Sequence, residues 1–395
     1  MHRRRLFLLL GFFVLLGVGG WFFISHTIRS SEEARAKEAL QAQIQSVIDA
    51  RRAGQQGGED QDPFDENGIL RLLLIGLDSR SGSTIGHCDA IQFIEINKTN
   101  QTIAITAVPR GTYSPLPGSG HLPGDYYVSS ACAIGGLDYG IAQIENILGQ
   151  QADYVAMVGF SEALGAFRLL GLPTTETLQW LRLRQGYAIG EPQRAHNHST
   201  FLKQLLVKFT PTDHTPLEIA GEYLFYRFIE TDLSFTQVRQ IVAELSAMDL
   251  ADHAERINIF MKPSYAVADI PYDTEHLDDY LSSMLDPISD LIPEGAYTGV
   301  SESEGQQQLM DLVNAGLEDT DFVTHAFEQK LWLQVEDEAT RESVHFALLS
   351  AYLSTQPEGE EQKNMLLDYV IEMEAIGQTD WVLKGKALLS EYQEG

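Results

Sequence analysis

Cations are scarce in this chain. Its 395 residues hold 27 Lys and Arg against 56 Asp and Glu, a formal net charge of -29. A basic stripe that could grip a nucleic-acid backbone is not expected in such a field, so nucleic acid is excluded as a partner. The acidity itself bears on solubility and association rather than on fold. Cysteine is nearly absent: only Cys88 and Cys132 occur, which leaves room for one bridge at most. No Gly-Lys-Ser/Thr phosphate loop and no Gly-x-Ser-x-Gly elbow is found, so two common catalytic scaffolds have no sequence signature here. What remains is a globular composition, 44% apolar and 21% charged, long enough for two or three domains.

One long apolar run stands apart. MHRRR is followed by LFLLLGFFVLLGVGGWFFI (6–24), which carries no charge. At helical rise it measures roughly 28 Å, enough to cross a bilayer core. A cleaved signal peptide would have a shorter apolar stretch of about 7 to 15 residues. The length, and Trp21, Phe22 and Phe23 at the far end, favour an uncleaved anchor. Residues 1–28 are therefore expected to be a cytoplasmic n-region and single transmembrane helix, with the rest of the chain outside the cell membrane. In that setting Cys88 and Cys132 become a disulfide candidate, two buried thiols being the alternative.

Residues 29–68 read as a polar helical stalk followed by a Gly-, Gln- and acid-rich linker. Order resumes at Ile69. RLLLIGLD (71–78) is a continuous apolar run, as in a strand buried on both faces. In GHCDAIQFIEIN (86–97), Ile91 and Phe93 point to one side and Ile94 and Ile96 to the other, interrupted by Gln92 and Glu95. KTNQ joins this strand to TIAITAV (102–108) as a hairpin turn. DYVAMVGF (153–160) and RINIFMK (256–262) are further strands. Helical spacing marks 135–149, 161–171, 197–209, 215–228 and 234–248, with Gly149 and Ser161 as caps. The pattern predicts an α/β fold, a mixed α+β layered sandwich with a central sheet flanked by helices, over 69–290. Residues 300–395 show no strand pattern and hold 20 Asp or Glu against 5 Lys or Arg. Four or five amphipathic helices without a 34-residue period suggest an acidic all-α bundle there.

The chemistry gathers at strand ends, where a rigid scaffold meets free loops. LLLIGLDSR places Asp78 and Arg80 at the end of one strand, GHCD places Asp89 at the head of the next, and AVPRGTY places Arg110 after a third. Two carboxylates suit Mg²⁺, and arginines suit phosphate oxygens. A structural ion-pair cluster is the alternative. His87, Cys88 and Asp89 as a zinc site would need a fourth ligand. Further on, Arg182 and Arg184 in LRLR are two apart and would share one face of a strand, and Arg194 follows a Gly-Glu-Pro turn at the mouth of a helix. His196 and His198 read as polar residues at that helix's start.

This order of motifs resembles the LytR-CpsA-Psr family of bacterial envelope proteins. The resemblance rests on the single N-terminal anchor, LLLIGLDSR, GHCDAIQFIEIN, IAITAVPRGTY, SSACAIGG, ILGQQADYVAMVGFSEALGAFRLLG, LRLR, EPQRAHNHSTFLKQLL and ETDLS. It implies an LCP-like fold and a phosphotransferase that moves a glycopolymer from a polyprenyl-pyrophosphate carrier to peptidoglycan or another wall acceptor. It assigns Asp78 and Asp89 to Mg²⁺, and Arg80, Arg110, Arg182, Arg184 and Arg194 to the pyrophosphate. Asp89, as base or metal ligand, and Arg110 become the catalytic pair, because cationic groups stabilise charge developing on a phosphoryl group. Where the family carries Asp after the first arginine, Gly111 stands here; its Arg-Gln-Gln reads Asn197, His198, Ser199. These departures support a second expectation, a non-catalytic lipid-binding or assembly scaffold with the C-terminal helices docking a protein partner.

Overall fold

The computed structural model describes residues 42–54, 61–78, 86–184, 187–211, 216–285, 302–328, 330–356 and 359–394. The apolar run 6–24 lies outside them. Among the described residues no helix is long and apolar enough to cross a membrane.

The apolar runs form one six-stranded mixed sheet. Its strands are β1 (Ile69–Asp78), β2 (His87–Asn97), β3 (Thr102–Ala107), β4 (Tyr154–Val158), β5 (Glu230–Thr231) and β6 (Ile257–Met261), in the order β5-β4-β1-β2-β3-β6. β1 and β2 lie at the centre, which is why both are apolar on both faces. β2 runs antiparallel to β1 and β3, while β4 joins β1 and β6 joins β3 in parallel. The β2–β3 turn is tight, with Gln101 at φ 53°. Near its end β1 slips register between Gly76 and Leu77. Gly76 eases the close approach there, since a Cβ would sit 3.0 Å from that of Ala90 and press the two strands apart by a few tenths of an ångström.

Strand alternation sorts the core into two layers. On one face Leu73, Ile75, Ile91 and Phe93 pack against α2 (Val128–Gly135), α3 (Leu137–Leu148) and a helix we call α1 at 42–54. On the other face Leu70, Ile94, Ile96, Ile103 and Ile105 meet α6 (Gly190–Phe209) and α8 (Phe235–Ala247). The expected stalk is thus partly wrong. Ile44, Val47 and Ile48 of α1 are buried, and Arg51 pairs with the buried Asp232 at 2.8 Å. α2, in SSACAIGG, has too few large apolar residues to be read from spacing alone.

The remaining helices of this part are α4 (Phe160–Leu169), α5 (Thr174–Arg182), α7 (Pro216–Tyr226) and α9 (Leu277–Leu285). LRLR does not form a strand: α5 ends at Arg182, with Thr177 and Trp180 buried three residues apart as a helix requires. Arg182 and Arg184 consequently do not share a strand face.

Among its described residues the acidic C-terminal part forms helices and no strand: α10 (Glu302–Gly316), α11 (Thr320–Glu328), α12 (Glu338–Thr355), α13 (Glu360–Ala375) and α14 (Thr379–Glu394). It seats on α4 and α7. Gln334 donates to the Ser161 hydroxyl at 2.9 Å, Arg168 pairs with Glu336 at 3.2 Å, and Arg227 pairs with Asp368 at 2.5 Å.

Candidate functional site

Because β2 runs opposite to β1 and β3, the end of β1, the head of β2 and the residue following β3 all fall on one edge of the sheet. Asp78 closes β1 as the backbone partner of His87. Asp89 stands two residues into β2, and its neighbour Cys88 is joined by a disulfide to Cys132 of α2. That bond fixes α2, with Ser129 and Ser130, beside the strand head.

α6 closes the site from above. Buried Gln92 donates from its side-chain amide to the Ala195 carbonyl at 3.1 Å and accepts the Ser199 hydroxyl at 2.6 Å. The residue that interrupts the apolar run of β2 therefore bolts α6 to the sheet, where an unpaired buried amide would be costly. Within α6, Gln193 donates to Asn197 at 2.9 Å and Asn197 to the Tyr187 hydroxyl at 3.1 Å. Asn197 thus acts in the packing of α6 rather than as an anion-gripping group.

A chain of ions crosses the edge. Arg110 Nη1 donates to Asp89 Oδ1 at 2.6 Å, and Arg110 Nε lies 3.2 Å from Glu191 Oε2. Glu191 also receives Arg184 and Arg194, each at 2.8 Å. Burial alone would raise the carboxyl of Asp89, but the Arg110 guanidinium holds it below the usual carboxylate range. Glu191 is likewise lowered against its burial, chiefly by Arg194. Burial lowers Arg194, whose side chain is only 9% exposed. Both carboxylates are ionised at neutral pH, so three paired arginines outnumber two carboxylates by one charge in an otherwise acidic protein.

Two openings meet at Asp89. A polar cleft of about 530 Å³ is lined by His87, Asp89, Arg110, Gly111, Arg184 and Glu191. A Cβ at Gly111 would meet nothing within 4 Å, so that side of the cleft is open. An apolar cavity of about 310 Å³ runs behind it between the sheet and α4, α5 and α6. Its polar lining is Asp89, Gln92, Arg182, Arg194 and His198; the remaining residues are apolar or glycine. A second apolar cavity, about 530 Å³, shares Leu170, Leu202, Leu205, Phe225 and Ile229 with the first.

Of the residues singled out from sequence, Asp89, Arg110, Arg182, Arg184 and Arg194 converge here, while Arg80 lies outside the described residues. Glu191, the hub of three arginines, was legible as the acid in a Gly-Glu-Pro turn, three residues before Arg194, where the resembled family carries Asp. His198 was read as a bland polar position. Its Nε2–H donates to the Leu181 carbonyl at 2.7 Å, while Nδ1 is shut off from solvent without a partner. Burial, then Arg194, lowers it to about 4, so it is neutral. Among the described residues no three His, Cys, Asp or Glu side chains cluster as a metal cage.

The profile of the LytR_cpsA_psr family matches residues 23–167. A polyisoprenyl-teichoic acid–peptidoglycan teichoic acid transferase TagU of Bacillus anthracis is 27% identical over 169 residues, 42% of this chain and 52% of that one. Its counterpart in Bacillus cereus is 25% identical over 193 residues, 48% of this chain and 59% of that one. The chain spans about half the length of these curated relatives. Among solved structures, TagV of B. subtilis is 15% identical with a TM-score of 0.43, over 57% of this chain and 99% of that one. The matched segment carries β1, β2, Asp89, the Cys88–Cys132 pair and Arg110, so the likeness to the LytR-CpsA-Psr family takes in the strand ends that form the site.

Proposed function

We propose that this protein binds a polyprenyl-pyrophosphate-linked glycopolymer and transfers it, with one phosphate, to a hydroxyl of a cell-wall acceptor such as peptidoglycan, breaking the pyrophosphate bridge and releasing polyprenyl monophosphate. One observation carries the reading: Asp89 borders both a charged cleft and an apolar cavity, with Arg182 and Arg194 at the cavity side and Arg110 and Arg184 at the cleft side. A ligand that fits both must have an apolar chain and an anionic head, as a lipid phosphate does. Arginines suit its oxygens through paired, charge-assisted hydrogen bonds. The TagU relatives are named for a transfer of this kind.

Asp89 is ionised and borders the cleft, so it is the group that would take the proton of an attacking hydroxyl or hold the metal, while the Arg110 bond that positions it also weakens it as a base. Arg110, Arg184 and Arg194 would stabilise charge on the transferring phosphoryl oxygens. Asp89 carries the hard carboxylate oxygen that Mg²⁺ prefers, and with the expected ligand Asp78 it is the residue that would hold the ion. When bound, that ion would offset pyrophosphate charge. The anchor expected at 6–24 would hold the chain to a membrane with this site outside the cell, a setting compatible with the Cys88–Cys132 bridge.

The test is turnover of a polyprenyl-pyrophosphate glycan by the full chain, with and without Mg²⁺, beside direct binding of polyprenyl phosphate. Arg110→Ala should lose at least about a hundredfold in turnover, the order seen when one charge-stabilising donor is removed. Tight lipid binding with no turnover under any metal condition would select the scaffold reading instead. Unchanged binding and turnover in Arg110→Ala would remove the site altogether.

A further inference from the structure

The segment that links β3 to α2 crosses the rim of the polar cleft and holds aromatic rings out in water. Tyr113 is 69% exposed and Tyr127 43%; Tyr265, arriving from beyond β6, is 42% exposed. Tyr127 and Tyr265 line the cleft together with Arg110, Arg184 and Glu191. The loop is braced. Tyr113 and Tyr127 are partners in an antiparallel bridge, and Tyr113 stacks with Tyr126 at 6.2 Å with planes 15° apart. Ser114 N–H donates to the Tyr126 carbonyl at 3.1 Å, Val128 N–H to the Thr112 carbonyl at 2.9 Å, and the Tyr139 hydroxyl to the Pro115 carbonyl at 3.0 Å. Exposed apolar surface grouped beside a polar site marks an interaction surface. Tyrosine serves that role at low entropic cost, offering a rigid ring and a polar tip.

The surroundings select the occupant. Residues 111–127 contain no Lys or Arg and one Asp, so the loop itself carries no basic cluster of the kind that draws a segment to an anionic lipid surface. The groups beside the rings are hydroxyls and ions: Ser129, Ser130, Arg184 and Glu191. A pyranose ring matches that mixture, because its C–H face covers an aromatic ring while its hydroxyl edge meets polar groups. The open side at Gly111 leaves room for such a ring next to Arg110.

We propose that Tyr113, Tyr127 and Tyr265 form an aromatic platform that binds an uncharged sugar ring of the acceptor glycan, next to the phosphate-gripping arginines. Its role as the acceptor side rests on the transfer reading above; the affinity for sugar does not. The probe is a β-1,4-linked N-acetylglucosamine tetramer, which has neither phosphate nor lipid, titrated calorimetrically into the full chain. Saturable binding is expected, weakened about tenfold by Tyr127→Ala and by Tyr265→Ala and less than about threefold by the matching Phe variants. Thermal melts of each variant check that it is folded. Absence of saturable binding to the parent, or Ala variants that bind as tightly as the parent, would overturn the platform. So would Ala variants that lose polyprenyl phosphate binding while keeping the tetramer. If the tetramer fails but polyprenyl phosphate binds in an Arg110-dependent way, only the platform falls. If the tetramer binds through the tyrosines and polyprenyl phosphate does not bind, only the transfer reading falls.

Discussion

Glu191→Gln is the most informative single change, since one carboxylate stands within reach of three guanidiniums. The cost divides by exposure. Arg184 is 47% exposed, so its pair is worth at most about 1 kcal/mol. Arg110 keeps Asp89 at 2.6 Å and loses little. Arg194 is 9% exposed and its partner 28%. Breaking a fully buried pair costs about 3–5 kcal/mol, so this partly open one should cost about 2–3. The sum is about 3–4 kcal/mol, a fall in Tm of about 4–5 °C for a chain of this length. Urea unfolding of the full chain measures it. Adding Arg194→Met, which removes the stranded charge at similar length, should recover at least half of the loss. A loss below about 1 kcal/mol, or a double variant no better than the single, would refute the idea that Glu191 neutralises a buried cation.

Further outcomes follow from other contacts. The Cys88–Cys132 bond closes 44 residues, so reducing it should lower stability by about 4 kcal/mol in the chain-entropy account; a melt unchanged by a phosphine reductant would contradict this. Burial raises Glu372 to about 7 from 4.5, between Glu342 and Arg227. A raised carboxyl favours the fold below about pH 4.5 and loses that contribution as pH rises through about 7, up to about 3 kcal/mol. The Tm should fall from pH 5.5 to 8, and Glu372→Gln should flatten that slope. Asp89 and Glu191 act with the opposite sign: both are lowered, so their contribution persists at neutral pH and fades as pH drops below about 4. Urea unfolding at pH 3 to 5, with Glu191→Gln flattening the fall in stability below pH 4, checks this. A side chain at Gly165 would press within 2.9 Å of Leu333 and 3.0 Å of Phe228. Gly165→Val should therefore cost about 1–3 kcal/mol and expose the C-terminal helices to protease.

The sheet was legible because its strands lie between two helical layers, so Leu73, Ile75, Ile94 and Ile96 have no polar face to confuse the reading. LRLR misled because spacing by two is also found near a helix end, and Trp180 decides the matter by packing on Phe201 and Tyr272. α1 was missed as core because only Ile44, Val47 and Ile48 in a polar segment reach the sheet. Gln92 looked like a flaw in a strand until Ala195 and Ser199 supplied its partners.

What the sequence by itself determined is local: which runs must be buried strands, where the acidic helices begin, and that Asp89 and Arg110 stand at strand ends. Those follow from side-chain periodicity and composition, which need no partner to be read. Tertiary structure alone decided that Glu191 collects three arginines from three segments and that Cys88 meets Cys132. It also decided that a charged cleft opens onto an apolar cavity at Asp89. Each of these depends on how far apart chain segments come to lie, and that distance is set by packing across the sheet rather than by position along the chain.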